Sequence, residues 1–225
     1  MRGDGVEFEE LDGWGKFAYK IVEEKAKQRE AWLSEPEGSV RPTKPMRLIL
    51  SGGAGSGKST TVRALVRMRR ERKRMWVRKA RCAEKDKRLH VQHCCVLSAP
   101  TGTASFQMKN GATTAHRAWG VPIGFCGKLS RTGNAFKRLQ AVTRYADIGI
   151  FDEFSMLGRA FVGKILFRVR DAQLKRTPQW WLAGMDALFE GHLAQAAPIG
   201  DEPLYQPGRY KGKGLNKPPD NFRGK

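Results

Sequence analysis

An α/β fold, a parallel sheet flanked by helices, is predicted by three observations. Short apolar runs at residues 48–50, 94–97, 148–151 and, more weakly, 185–189 alternate with helical patterns, the signature of strands whose two faces are both covered. Stripes at helical spacing precede the third run (Phe136, Leu139, Val142) and follow it (Phe161, Val162, Ile165, Leu166, Val169, Ala172). A glycine-rich loop stands between the first run and a helical pattern carrying Val62, Leu65 and Val66.

In chain order, residues 17–32 alternate apolar and charged side chains as an amphipathic helix does, with Phe17, Ile21, Ala31 and Trp32 as its apolar positions. A Pro-rich linker, 35–45, joins it to the first strand. The domain plan is an N-terminal helical segment with linker (1–45), an α/β domain (46–205) with a basic insertion at about 67–90, and a flexible basic tail (206–225). The tail combines Gly and Pro with six Lys or Arg, has Asp220 as its one acid, and offers only Leu215 and Phe222 as aliphatic or phenyl anchors. Adjacent Cys94 and Cys95 are read as small buried side chains facing opposite sides of a strand.

The 225 residues carry 42 Lys and Arg against 22 Asp and Glu, a net +20, with 40 % hydrophobic residues, which suits one globular domain. Residues 1–40 hold ten acids and six bases, so the remainder carries +24. The densest stretch, 67–88, includes Arg67, Arg69, Arg70, Arg72, Lys73, Arg74, Arg78, Lys79, Arg81, Lys85, Lys87 and Arg88. Such a field attracts polyanions, since neutralised phosphates release counterions; the competing reading is a solvated insertion without a partner. No apolar stretch approaches the roughly 18 residues of a membrane span, and the N-terminus has no apolar signal core. Asp4, Glu7, Glu9, Glu10 and Asp12 speak against a mitochondrial address. Four irregular cysteines build neither a disulfide framework nor a zinc site, which implies a reducing compartment. A nucleus is preferred to a mitochondrion, secretion is excluded, and oligomeric state stays open.

The loop Gly52-Gly53-Ala54-Gly55-Ser56-Gly57-Lys58-Ser59-Thr60 satisfies G-x-x-x-x-G-K-[ST] in the strand–loop–helix context that this phosphate cradle requires. Its glycines let backbone N–H groups turn inward, and the following helix aims its positive end at the phosphates. Lys58 is expected at the β- and γ-phosphates of ATP, and Ser59 at Mg²⁺. Asp152 and Glu153 follow the third strand as a Walker B pair does: Asp152 is expected to hold the metal, and Glu153 to orient and deprotonate the attacking water.

Three further segments narrow the choice among P-loop NTPases. Ala99-Pro100-Thr101-Gly102-Thr103-Ala104, followed by Gly111-Ala112-Thr113-Thr114-Ala115-His116, resembles motifs Ia and Ib of the Pif-one/RecD-like DNA helicases of superfamily one. Asp152-Glu153-Phe154-Ser155-Met156 resembles their motif II, and Gly191-His192-Leu193-Ala194-Gln195-Ala196-Ala197-Pro198 is similar to motif III. The likeness runs from about residue 11 to 205. It implies a RecA-like domain in which Gln195 contacts the γ-phosphate, and Pro100, Thr101, Gly102, Thr114 and His116 line a single-stranded DNA path. Gly and hydroxyl residues do allow close, sequence-independent approach to a sugar-phosphate chain. Trp119 is read either as core or as a stacking face for a base.

The departures are specific. Gly15 stands where the family's adenine-reading glutamine is expected, with Gln28 as a substitute, and His192 stands where motif III has an aspartate. The chain ends about twenty residues after motif III, so the expectation is one half of a two-domain motor, from a truncated or degenerate helicase. The resemblance implies an ATP-dependent 5′–3′ DNA helicase of repair, recombination or telomere maintenance, with very weak or no ATP hydrolysis expected of this chain by itself. The alternative is a decayed P-loop scaffold that binds nucleic acid without catalysis; a small P-loop kinase leaves motifs Ia and III unexplained.

Overall fold

Five parallel strands, in the order β1-β5-β4-β2-β3, form one sheet with helices on both faces. The computed structural model describes residues 6–35, 44–80, 83–172 and 181–206. The chain runs α1 (Gly13–Leu33), β1 (Arg47–Ser51), α2 (Lys58–Lys79), α3 (Glu84–His93), β2 (Cys95–Ala99), α4 (Gly102–Met108), β3 (Thr113–Thr114), α5 (Ala115–Trp119), α6 (Asn134–Tyr145), β4 (Ile148–Phe151), α7 (Arg159–Ala172) and β5 (Asp186–Gly191). Most of the 35–45 linker, Cys82 and the basic tail beyond Gln206 lie outside the described residues.

The period of two in the strands sorts the core into two layers. Leu97, Ile148, Ile150 and Leu188 face α1 and α2, where Val22, Val62, Leu65 and Val66 meet them. Val96, Phe151, Ala187 and Phe189 face α5 and α7, against Trp119, Val162, Ile165 and Val169. Each such large side chain, fully buried, contributes roughly 1.5–3 kcal/mol, and the continuous apolar character of β4 follows from burial on both sides. Trp119 belongs wholly to this core: it is 0 % exposed, stacks on Phe151 and donates its Nε1–H to Ser98 Oγ at 3.1 Å. It offers no face to a base.

Three sequence expectations change. In α1 the expected apolar stripe packs only in part: Ile21 lies against the core, Phe17 is 59 % exposed, and Gly15, Ala18, Val22 and Ala26 form the buried face. These small residues let α1 lie close along α2, a contact that larger side chains would prevent. Cys94 caps α3 instead of starting β2, so both thiols enter the same core layer, with their sulfurs 3.8 Å apart.

The third concerns the basic stretch, which is built into the fold. Residues 67–79 continue α2 to 22 residues, and 84–93 form α3. One face of α2 points inward, so Lys73 is 2 % exposed and Arg69 4 %. Lys73 Nζ lies 2.9 Å from Asp147 Oδ2, whose other oxygen accepts from Arg29 Nε at 2.8 Å. Arg69 faces Asp186 at 3.8 Å. Arg72 pairs with Glu30, Arg67 with Glu7 and Glu71, and Arg70 donates to the Asn110 carbonyl. Burial alone would raise the Asp147 carboxyl, but Arg29, Lys73 and Arg69 more than offset it and hold it well below the usual carboxylate range. Two cations of the expected polyanion surface, Arg69 and Lys73, thus join Arg29 in an internal ion network that fastens α1 and α2 to the amino ends of β4 and β5, and others of the stretch are held by partly exposed pairs. Among the described residues, no helix is long and apolar enough to cross a membrane.

Candidate functional site

All strands being parallel, the loops at their carboxyl ends gather on one edge of the sheet, the usual place for ligands in such folds. The glycine-rich loop leaves β1 there. Gly57 sits at φ 75°, a left-handed turn that lets α2 begin at Lys58. A Cβ at Gly52 would stand 2.6 Å from Ser56 Oγ, so a larger residue there would force the Ser56 side chain to move. Lys58 Nζ donates to the carbonyls of Gly52 and Gly53, both at 2.8 Å, curling over the loop it encloses. The loop is stitched to the sheet by Gly52 N–H donating to the Gly191 carbonyl at 3.3 Å.

Across from it stand the carboxylates. Asp152 follows β4 and accepts the Glu153 N–H at 2.8 Å, while Glu153 holds φ 48°, a backbone conformation that costs energy for a residue with a Cβ and is concentrated at functional sites. Glu153 Oε1 accepts from Gln195 Nε2 at 3.3 Å, and Glu153 Oε2 is buried without a hydrogen-bond partner. Sequence reasoning missed Glu190. It pairs in register with Leu50 on one side and, by continuing the β4–β5 ladder, lies opposite Asp152 on the other; its Oε1 accepts from Ser59 Oγ at 3.2 Å. An acid closing the otherwise apolar run of β5 was the available signal. Burial, the Glu153 charge and, in the opposite sense, Lys58 and the Glu153 N–H bring the Asp152 carboxyl up to about 6. Burial and then the Asp152 charge push Glu190 up to about 7.

These donors fit Mg²⁺. They are hard oxygens, a hydroxyl and carboxylates, crowded so that burial and mutual repulsion work against their negative charge, and Mg²⁺ typically takes one or two carboxylates together with phosphate oxygens and water. Among the described residues no three His, Cys, Asp or Glu converge as an all-protein metal cage.

The residues expected along DNA share the same edge, beyond β4. Thr101 follows Pro100 at the end of β2 and caps α4, its Oγ1 accepting the Ala104 N–H at 3.1 Å, with Gly102 opening the helix. Thr114 ends β3 and starts α5. His116 is exposed, its ring 4.5 Å from that of Phe161 on α7, and burial with the nearby Lys164 charge lowers its pKa so that it is neutral at pH 7. The exposed basic ends of α2 and α3 lie at the other end of the sheet, since α2 runs back from the loop and α3 leads into the start of β2. The structure thus brings the loop, Asp152, Glu153 and Gln195 together, sets the five expected DNA residues on the same edge, and separates both from the basic stretch.

The two departures have structural reasons. Asp12 Oδ1 caps α1 by accepting the Gly15 N–H at 2.6 Å, and a Cβ on Gly15 would meet Thr61 Oγ1 at 2.6 Å and Asp12 Oδ1 at 2.8 Å. That place has no room for a glutamine. Gln28 is engaged with Glu24 and Lys25 of its own helix. His192 Nδ1 accepts the Ala194 N–H at 3.1 Å, holding the turn that presents Gln195.

A phosphate cradle between parallel strands, facing an acidic pair on the neighbouring loop, defines a P-loop nucleotide-binding domain of RecA-like architecture. The chain belongs to the AAA domain family, whose model matches residues 39–176. It is 24 % identical over 156 residues to the ATP-dependent DNA helicase PIF5 of Trypanosoma brucei brucei, an alignment covering 69 % of this chain and 14 % of that protein. The crystal structure of the Pif1 helicase from Candida albicans is similar at a TM-score of 0.51 and 18 % identity, over 84 % of this chain and 34 % of that one. The Bacteroides Pif1 helicase, solved in complex with ADP-AlF3 and single-stranded DNA, matches at a TM-score of 0.46 and 19 % identity, over 78 % of this chain and 33 % of that one. The chain therefore spans about a third of the solved helicases and a seventh of the curated relative.

Proposed function

We propose that the chain is the ATP- and single-stranded-DNA-binding RecA-like domain of a Pif1-like, 5′–3′ DNA helicase. The observation that carries it is the placement of Lys58 and Ser59 opposite Asp152 and Glu153, with Glu153 joined to Gln195. On binding ATP, the loop N–H groups from Gly52 to Thr60 take the phosphates, and Lys58 leaves the Gly52 and Gly53 carbonyls for the β- and γ-phosphates. Ser59 and Asp152 would hold Mg²⁺, which would supply positive charge against that of the phosphates. Glu153 accepts the proton of the attacking water, and Gln195, already on Glu153, gains the γ-phosphate as a second contact. Hydrolysis breaks that contact. The domain plan and a role in repair, recombination or telomere maintenance are part of this proposal and rest on the resemblance.

For DNA, the hydroxyls of Thr101 and Thr114, the backbone at Pro100 and Gly102, and the neutral His116 ring offer contacts that hold a strand without reading bases. The test is fluorescence anisotropy with a labelled oligonucleotide across a salt series. His116→Ala is expected to weaken binding several-fold at constant salt slope, because a neutral ring releases no counterion. Replacing Arg74, Arg78, Lys85 and Arg88 together with Gln is expected to leave the slope within about one unit, since each phosphate contact contributes roughly 0.7 on a single strand. A collapse of the slope would place the strand on the α2–α3 end and refute this path.

A second reading, a scaffold that binds nucleic acid without turnover, is favoured by Gly15 and His192. It requires that Glu153→Gln leave phosphate release unchanged, whereas the enzymatic reading requires release to fall to background.

A further inference from the structure

We propose that Glu190 is a positioning residue for the nucleotide's metal: it orients the Ser59 hydroxyl and supplies the acidic charge that residue 192, here a histidine, does not. This rests on the nucleotide-binding reading above and names one more working part of the same site.

Of four carboxylates at the ends of β4 and β5, Asp147, Asp186 and Glu190 are buried and Asp152 partly so, and their surroundings divide them. At the amino ends, Asp147 is paired with Arg29 and Lys73, and Asp186 faces Arg69 while accepting the Met46 N–H at 2.8 Å. These are structural acids, each with a cation within 4 Å. At the carboxyl ends, Asp152 and Glu190 stand side by side, and among the described residues no Lys, Arg or His forms an ion pair with either.

Glu190 is 2 % exposed, and the side-chain partner it has is the Ser59 hydroxyl at 3.2 Å. A buried carboxylate without a cation is costly, and removing a partner from one is worse than never having had it. A glutamine would fill the same volume without that cost. The position therefore makes sense as one that waits for a cation arriving with the ligand. With its proton on Glu190, Ser59 Oγ keeps its lone pairs directed away from the carboxylate and free to coordinate a cation. Ser59 and Asp152 would hold such a metal, and Glu190 would fix the hydroxyl in the orientation that does so. His192 is excluded from this work by its Nδ1, which is taken by the Ala194 N–H at 3.1 Å.

Outer partners of this kind typically set metal affinity by about 10- to 100-fold. The experiment uses the full chain with ADP as the nucleotide, and reads free Mn²⁺ by electron paramagnetic resonance in place of Mg²⁺. Glu190→Gln is expected to require about tenfold more Mn²⁺ for half-saturation, Glu190→Asp an intermediate amount, and His192→Ala the same as the parent within twofold. In EDTA, Glu190→Gln is expected to bind ADP at least as well as the parent and to melt no lower, because an unpaired buried charge has gone. A merely structural role predicts the reverse, a lower melting temperature with metal affinity unchanged. Metal affinity within twofold of the parent in a variant that still binds ADP would overturn this proposal alone. A parent that binds no ADP at any metal concentration would overturn the underlying reading and this one with it.

Discussion

Lys73 sits in what the sequence presents as the most basic surface of the chain, yet its replacement is expected to damage the fold. The perturbation is Lys73→Met, which keeps the length of the side chain and removes the charge. At 2.9 Å from Asp147 Oδ2, the gross attraction is roughly 6 kcal/mol at an effective dielectric of 20. Most of that is offset by the cost of desolvating the ammonium, and Asp147 keeps Arg29 at 2.8 Å when Lys73 is gone. The net loss is therefore expected at about 2–3 kcal/mol, below the 3–5 kcal/mol typical of a buried pair broken completely. Asp147→Asn strands two cations at once and is expected at the upper end, about 4 kcal/mol. Arg74→Met, one residue along and exposed, is expected within about 0.5 kcal/mol of the parent. Urea unfolding followed by tryptophan fluorescence gives all three, and the Lys73→Met/Asp147→Asn double variant should cost less than the sum of its parts. Lys73→Met and Arg74→Met indistinguishable at under about 0.5 kcal/mol would show that the network does not hold α2 to the sheet.

Two further expectations concern acid and the first helix. His90, packed between the Trp76 and Tyr145 rings, has its pKa lowered to about 4 by burial and the Lys73 charge. The unfolded chain then binds the extra proton first, so the neutral form's contribution is complete above about pH 6.5 and is lost as pH falls toward 4. The shift alone corresponds to about 3 kcal/mol, and partial solvent screening reduces this to about 1–2 kcal/mol. His90→Gln should flatten that limb in melts taken every half pH unit; Asp152 and Glu190 act oppositely in the same window, so the difference from the parent is the quantity to read. Gly15→Gln, which the helicase resemblance would favour, is expected to destabilise by about 1–3 kcal/mol through collision with Thr61 and Asp12, and not to gain adenine selectivity; a stable variant preferring ATP to GTP would show that α1 can give way.

The strands were legible because burial on both faces leaves runs such as 148–151 nearly free of polar residues, and the loop because glycine, lysine and hydroxyl must occur at fixed offsets. β3 was not, since two residues carry no periodicity. The face of α1 was misread because its packing surface is made of Gly15, Ala18 and Ala26, which hydrophobicity undervalues. Local sequence cannot say which cations of α2 turn inward: the partners of Lys73 and Arg69 lie 74 and 117 residues away, brought beneath α2 by the order of strands. Glu190 was hidden for the same reason. Its neighbours, Ser59 and Asp152, meet it only once β5 is inserted between β1 and β4.

The central claim is a working phosphate cradle, and nucleotide-dependent thermal stabilisation tests it most directly. At ligand concentrations of 100 Kd the expected gain is about 2.7 kcal/mol, a rise of roughly 5–11 °C for a chain of this size. The parent should show it with Mg²⁺-ADP and with GTP about as well as ATP, Gly15 having displaced the adenine reader. Lys58→Ala, where the lysine's hydrogen bonds among the described residues fall on its own loop, should melt close to the ligand-free parent and show no shift. A parent that does not respond to millimolar nucleotide, or a Lys58→Ala variant that responds as the parent does, would contradict the account.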